Sequence, residues 1–251
     1  MGGARSLVLV ALLLVGAAAA QAPAALHVAG DFVAAYEAAA AATDDAAALT
    51  LAARAATDHV VYVLAPAGAS ADEQRAWLEL AWAAANAATE LEPDSPDALL
   101  QLARARGELA RRSGVLQNLD VAPGLRHIFD RVLELRPEDP DALVALGMWH
   151  LELVQAGVGW LYGGRRDQVL PLVARGVEAA PEQVNLRVEY AVALHALGRP
   201  EDAIDQLRLA LEMPAATAVD RAEQDRARRL LAEWRGGAAT PPPRPRSRMA
   251  A

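Results

Sequence analysis

Apolar residues in this chain recur three and four positions apart in long segments, with short polar turns between them. That spacing is the one-face pattern of amphipathic helices. It predicts helices over about 28–42, 45–64, 70–91, 95–112, 124–136, 139–156, 166–180, 182–197, 200–213 and 217–235. Several starts carry their own signals. Ser70-Ala71-Asp72-Glu73 has capping-box spacing, and Thr217 with Asp220 is similar. Asp94-Ser95-Pro96-Asp97 and Glu138-Asp139-Pro140-Asp141 each put a capping side chain before a proline, whose missing N–H costs nothing in a first helical turn. Residues 65–69 read as a turn around Pro66 and Gly68.

A longer period runs over the helical one. Pro93, Pro137 and Pro181 are 44 residues apart, and each is followed ten residues later by a small side chain: Ala103, Gly147, Ala191. Pro214 comes 33 residues after Pro181. Self-similarity at a fixed period of this size means stacked helical hairpins.

The large and small positions of these units resemble the tetratricopeptide repeat (TPR) superfamily. The third unit carries Tyr190-Ala191, Gly198, Ala203, Leu207, Ala210 and Pro214. The second carries Leu143, Leu146-Gly147, His150, Gly176 and Pro181, and the first Leu99, Leu102-Ala103, Phe129, Val132 and Pro137. The usual period of that superfamily is about 34. Two units here are therefore extended by about ten residues, at 113–123 and 157–165. Extended repeats of this style are similar to those of bacterial envelope proteins resembling the T component of TRAP transporters, and of regulators of microtubule dynamics. The expected fold is an all-α, TPR-like solenoid of helical hairpins over 69–235, preceded by helices within 21–68.

Composition sharpens this. The chain is 54% hydrophobic but only 4% aromatic, and alanine makes up much of the apolar content. Alanine favours helix and buries little surface. The net charge is −8, and every basic residue is arginine. An acidic surface repels nucleic acid and anionic lipid, which sets both aside as main partners. There is no cysteine, so disulfides, thiolate chemistry and a lipid-bearing cysteine are excluded. Residues 1–20 have the form of a signal peptide: Arg5, an apolar core at 7–15, then small residues before Gln21. The body is accordingly expected to be exported, periplasmic or secreted; an uncleaved N-terminal anchor is the alternative. The Pro/Arg-rich residues 236–251 have no apolar period and are expected to be disordered.

No catalytic constellation stands out. The five histidines are scattered, with no i,i+4 pair of the kind that holds zinc, and no serine lies in a G-x-S-x-G step. The chain reads as a non-enzyme, and no cofactor or metal is implied. Gly163-Gly164-Arg165-Arg166 before a helix is a loose candidate anion cradle, although a plain turn followed by a solvated first turn is the better explanation.

The TPR resemblance also implies a groove lined by fixed positions of each unit's first helix: Asp97, Leu100, Arg104 and Gly107; Asp141, Val144, Met148 and Leu151; Asn185, Val188, Val192 and His195. The candidate groove residues are Leu100, Arg104, Val144, Met148, Val188, Val192 and His195. That row is largely apolar, and Arg104 is its one arginine. Either an apolar peptide, partner helix or lipid-like ligand occupies it, or the chain fills it with its own insertion or N-terminal helices. Trp160, Tyr162 and Arg165 of the second insertion are the candidate loop residues, as fillers or as binding hot spots. The expected function is an exported scaffold for protein–protein interaction in the bacterial envelope. The alternative is a periplasmic small-ligand or lipid-binding component with an enclosed apolar groove.

Overall fold

A computed structural model describes residues 21–113 and 121–237. The leader at 1–20 and the tail from 238 lie outside these residues. The described chain is helical throughout, and its elements follow the apolar periodicity. The N-terminal part consists of α1 (Pro23–Ala29), α2 (Phe32–Ala40), α3 (Ala46–His59), which runs on into a π-helical turn (Val60–Leu64), and α4 (Ala71–Leu91). The repeats follow as α5 (Pro96–Ser113), α6 (Val121–Leu135), α7 (Pro140–Gln155), α8 (Gly159–Tyr162), α9 (Arg166–Ala179), α10 (Val184–Ala196), α11 (Pro200–Glu212) and α12 (Ala218–Gly237).

The start signals work as their chemistry requires. Ser70 Oγ accepts from the Glu73 N–H at 3.2 Å, and an Asp139 oxygen accepts from the Ala142 N–H at 2.9 Å. At α12 the box is reciprocal: the Asp220 N–H donates to Thr217 Oγ1 at 3.0 Å, and the Thr217 N–H to Asp220 Oδ2 at 2.8 Å. One expected helix is two. The 28–42 segment breaks at Gly30, which takes φ 98° and closes α1, while Asp31 caps α2. A Cβ on Gly30 would lie 2.7 Å from Ala218 Cβ. The position therefore needs glycine for its backbone angle and for its close approach to α12.

Successive helices pair as α3/α4, α5/α6, α7/α9 and α10/α11, with α2 packed on α3 and α12 on α10 and α11. The apolar faces form a chain of small cores. Leu100, Phe129, Val132 and Leu146 join α5, α6 and α7. Val144, Val169, Val173 and Leu186 join α7, α9 and α10. Val188, Leu207, Ala227 and Leu231 join α10, α11 and α12. This is how repeat arrays are stabilised, each hairpin burying its face on the next.

Two glycines let α7 and α9 pack closely. A Cβ on Gly147 of α7 would lie 2.5 Å from Val173 Cγ2 and 3.1 Å from the Val169 carbonyl oxygen. A Cβ on Gly176 of α9 would lie 2.6 Å from Val144 Cγ2 and 2.8 Å from the Pro140 carbonyl oxygen. Each glycine thus admits the other helix. Gly147→Leu is expected to destabilise the fold by about 1–3 kcal/mol or more through overpacking. A thermal melt followed by circular dichroism checks this, and an unchanged midpoint would show that α7 and α9 do not meet there.

Candidate functional site

The inner row of the stack is formed by α3, α5, α7, α10 and α12, and it is charged. On α5, Asp97, Arg104, Glu108 and Arg111 share one face at helical spacing. Arg104 Nη2 lies 2.6 Å from Asp58 Oδ1 of α3. On the other oxygen of Asp58, His27 Nε2 of α1 donates at 2.7 Å. Arg111 Nε donates to Glu152 Oε1 of α7 at 3.1 Å, and Arg111 and Arg112 both pair with Glu108. Arg226 of α12 reaches Glu189 of α10 at 2.6 Å and Glu223 at 3.3 Å. Tyr62 OH, on the π-helical turn, donates to Glu223 Oε1 at 2.9 Å.

The candidate groove residues divide under this geometry. Arg104 stands on the inner face, and Met148 and Val192 are half-buried. Leu100, Val144 and Val188 are sealed in the hairpin cores, and His195 stacks flat on Trp234 with ring centroids 4.0 Å apart. The largely apolar row expected from the sequence keeps Arg104 on the inner face, but Leu100, Val144 and Val188 turn into the cores. Glu108, Glu152 and Glu189 each follow by one residue a position assigned to the groove, and each stands in the ionic network. One residue is about 100° of helix rotation, enough to exchange core face for inner face.

Electrostatics follow burial. Burial would push the Asp58 carboxyl up, but the Arg104 charge and the His27 hydrogen bond outweigh it and hold it below the ordinary aspartate value. For Glu223 the balance is reversed: burial pushes it up, with Arg226 offsetting only part. Burial also raises the Tyr62 phenol well above its usual value.

The second insertion does not enter the inner face. Trp160 and Leu161 of α8 are 85% and 55% exposed. Tyr162 packs half-buried against the core around Trp149 and Leu153. The loop is braced beneath them. The Gly164 N–H donates to the Gly159 carbonyl at 2.8 Å, and the Arg165 N–H donates to Nδ1 of buried His150 at 3.2 Å. Gly163 takes φ 78°, and a Cβ on Gly164 would lie 2.7 Å from Leu153 Cβ. The Arg165 guanidinium pairs with Asp167, and that of Arg166 donates to the Leu197 carbonyl. The Gly164 and Arg165 amides are thus engaged within the protein and are not donors to an anion. Val144, Met148, Val188 and Trp160 do not converge on one pocket, because the two valines belong to different cores and Trp160 faces solvent.

His27, Asp58, Tyr62, Glu189, Glu223 and Arg226 escaped the sequence reading. Asp58 left one sign, a carboxylate inside the apolar stretch Ala55-Ala56-Thr57-Asp58-His59-Val60. Tyr62 is hidden in the apolar run Val60–Leu64, and the rest look like ordinary solvated helix positions.

Geometry of this kind defines a helical-repeat protein of the TPR type. The match to the family model described as regulator of microtubule dynamics protein 1-3 spans residues 25–161, more than half of the chain, and the chain belongs to that family. Among solved structures, it is similar to TTC0263, a thermophilic TPR protein in Thermus thermophilus. That likeness has a TM-score of 0.60 at 15% identity and covers 82% of this chain and 94% of the other, a shared fold. MamA gives a TM-score of 0.41 at 16% identity over 73% of this chain and 82% of its own. YrrB, a TPR protein with an unusual peptide-binding site, gives 0.37 at 19% identity over 83% and 87%. The latter two superpose too loosely to carry an argument. No curated protein matches the chain.

Replacing Asp58 by asparagine leaves Arg104 without its countercharge. Asp58→Asn is expected to cost about 2–4 kcal/mol, toward the lower end of buried-pair effects because Arg104 keeps some water. Because the folded-state pKa of Asp58 is lowered, its contribution is fully present above the ordinary aspartate value and is lost as pH falls through the folded value. Urea melts from about pH 7 down to about pH 3 test both effects. The parent should shed this increment with acid, and Asp58→Asn should lack that step.

Proposed function

We propose that this chain is an exported, non-enzymatic scaffold that binds a protein partner in the cell envelope, and that it docks through the α8 knuckle. The observation that carries the reading is Trp160, 85% exposed beside Leu161 on a loop whose base is fixed by Tyr162, Gly164 and His150. Tryptophan is the residue most enriched in binding hot spots. A side chain presented by a braced loop loses little freedom on docking. The inner-face charges already pair with one another, which leaves the knuckle as the better anchor. Export rests on the leader at 1–20, with its apolar core and small-residue cleavage site.

Trp160→Ala should leave thermal stability unchanged, since the side chain is mostly in water. It should also weaken capture of the partner from envelope extract by about tenfold or more, as expected at a hot spot. Quantitative mass spectrometry of the captured proteins reads this directly. Undiminished capture would rule out the knuckle. Fractionation with intact-mass analysis checks export: the envelope form should begin near Gln21, whereas a cytoplasmic, full-length chain would contradict it.

A further inference from the structure

The last inner helix comes back to the first. Gly30, at the end of α1, lies against Ala218 at the start of α12, and Tyr62 bonds Glu223 across 161 residues of chain. The five inner helices thereby close into a ring. The joint differs from every other joint in the stack. Among the described residues, each of the apolar cores that contain α12 residues joins it to α10 and α11, and none joins it to α1, α3 or the π-helical turn. α1 has no buried residue at all. Among the described residues, the contacts across the seam include a phenol–carboxylate hydrogen bond and the close approach of the Gly30 backbone to the Ala218 methyl. Behind the bond stand Arg226 on Glu189 and the Arg104–Asp58–His27 chain.

The backbone at the seam is also irregular. Tyr62 sits in the π-helical turn that ends α3, where the Ala65 N–H donates to the Val60 carbonyl at 2.9 Å. Turns of this kind are uncommon and concentrate at functional positions. Seams with few buried apolar contacts are the first to open in a folded protein.

We infer that the Tyr62–Glu223 pair is a latch: the ring opens at this seam and nowhere else. The face behind the seam carries Arg104, Glu108, Met148, Glu189 and Val192, all half-buried in the closed form. The apolar cores of the hairpins stay intact in the open form, because none of them spans the seam.

The absence of cysteine permits a clean test in the full chain. A single reporter thiol is placed at half-buried Met148 (Met148→Cys), and maleimide labelling is followed under native conditions. Tyr62→Phe and Glu223→Gln each weaken the latch bond, and each should speed labelling by about tenfold, the effect of losing one hydrogen bond to a charged group. The radius of gyration by small-angle scattering should rise, while amide protection in α4 to α9 stays at the parent level. Ala218→Leu forms a second, independent probe, pushing α1 from α12 without touching the polar pair; it should open the ring in the same way. Labelling and radius unchanged in all three variants would overturn the latch. Protection lost throughout the stack would overturn it too, since the seam would then be an ordinary structural joint.

Discussion

Helix-to-helix distance governs this molecule, and Gly147 and Gly176 set it. A side chain at either position would strike the facing helix within 3 Å, so α7 and α9 meet at a separation that only glycine allows on both sides. Close packing in one hairpin tilts the next, and the tilt accumulates along the array. Here it brings α12 to α1 and the π-helical turn. The Tyr62–Glu223 bond and the Gly30–Ala218 approach therefore depend on packing elsewhere in the chain.

The division of labour between apolar and polar residues follows from the alanine content. The N-terminal cores bury Leu49, Val60, Leu64 and Leu78, but most of their buried positions are alanines: Ala39, Ala52, Ala53, Ala84 and Ala85, with Ala56, Ala81 and Ala105 beside them. A buried methyl contributes about 0.8 kcal/mol, against about 1.5–3 for a buried leucine or phenylalanine. The later hairpins have Phe129, Leu146 and Trp149, or Val188, Leu194 and Leu207. The N-terminal part therefore leans more on ions and hydrogen bonds, and the His27–Asp58–Arg104 chain ties α1, α3 and α5 together there.

Local signals were legible in the sequence, and long-range ones were not. Capping boxes, first-turn prolines and small packing positions act within a few residues, and they gave the helices and their pairing. The break at Gly30 was hidden because apolar residues continue across it from Leu26 to Phe32. The inner row was misplaced because Val188 and Glu189 differ by one step of rotation, and family spacing does not resolve one step. Nothing near Tyr62 or Glu223 announces a partner 161 residues away. The insertion at 157–165 stood out as an addition to the repeat, but its direction did not: Tyr162 turns into the core while Trp160 turns to water.

Buried ion pairs seldom add much net stability, because desolvation consumes most of the attraction. Their better-attested use is to fix which surfaces meet. A repeat array has particular need of that, since its units resemble one another and apolar faces accept many neighbours. Inner helices carrying different partners cannot be interchanged: Arg104 requires Asp58, and Arg226 requires Glu189 and Glu223. The same property makes the closing seam reversible. A seam sealed by leucines would pass its cost to water on opening, whereas a phenol and a carboxylate exchange their bond for bonds to solvent at small net loss. Register and release thus come from the same few polar groups, while the hairpin cores remain undisturbed.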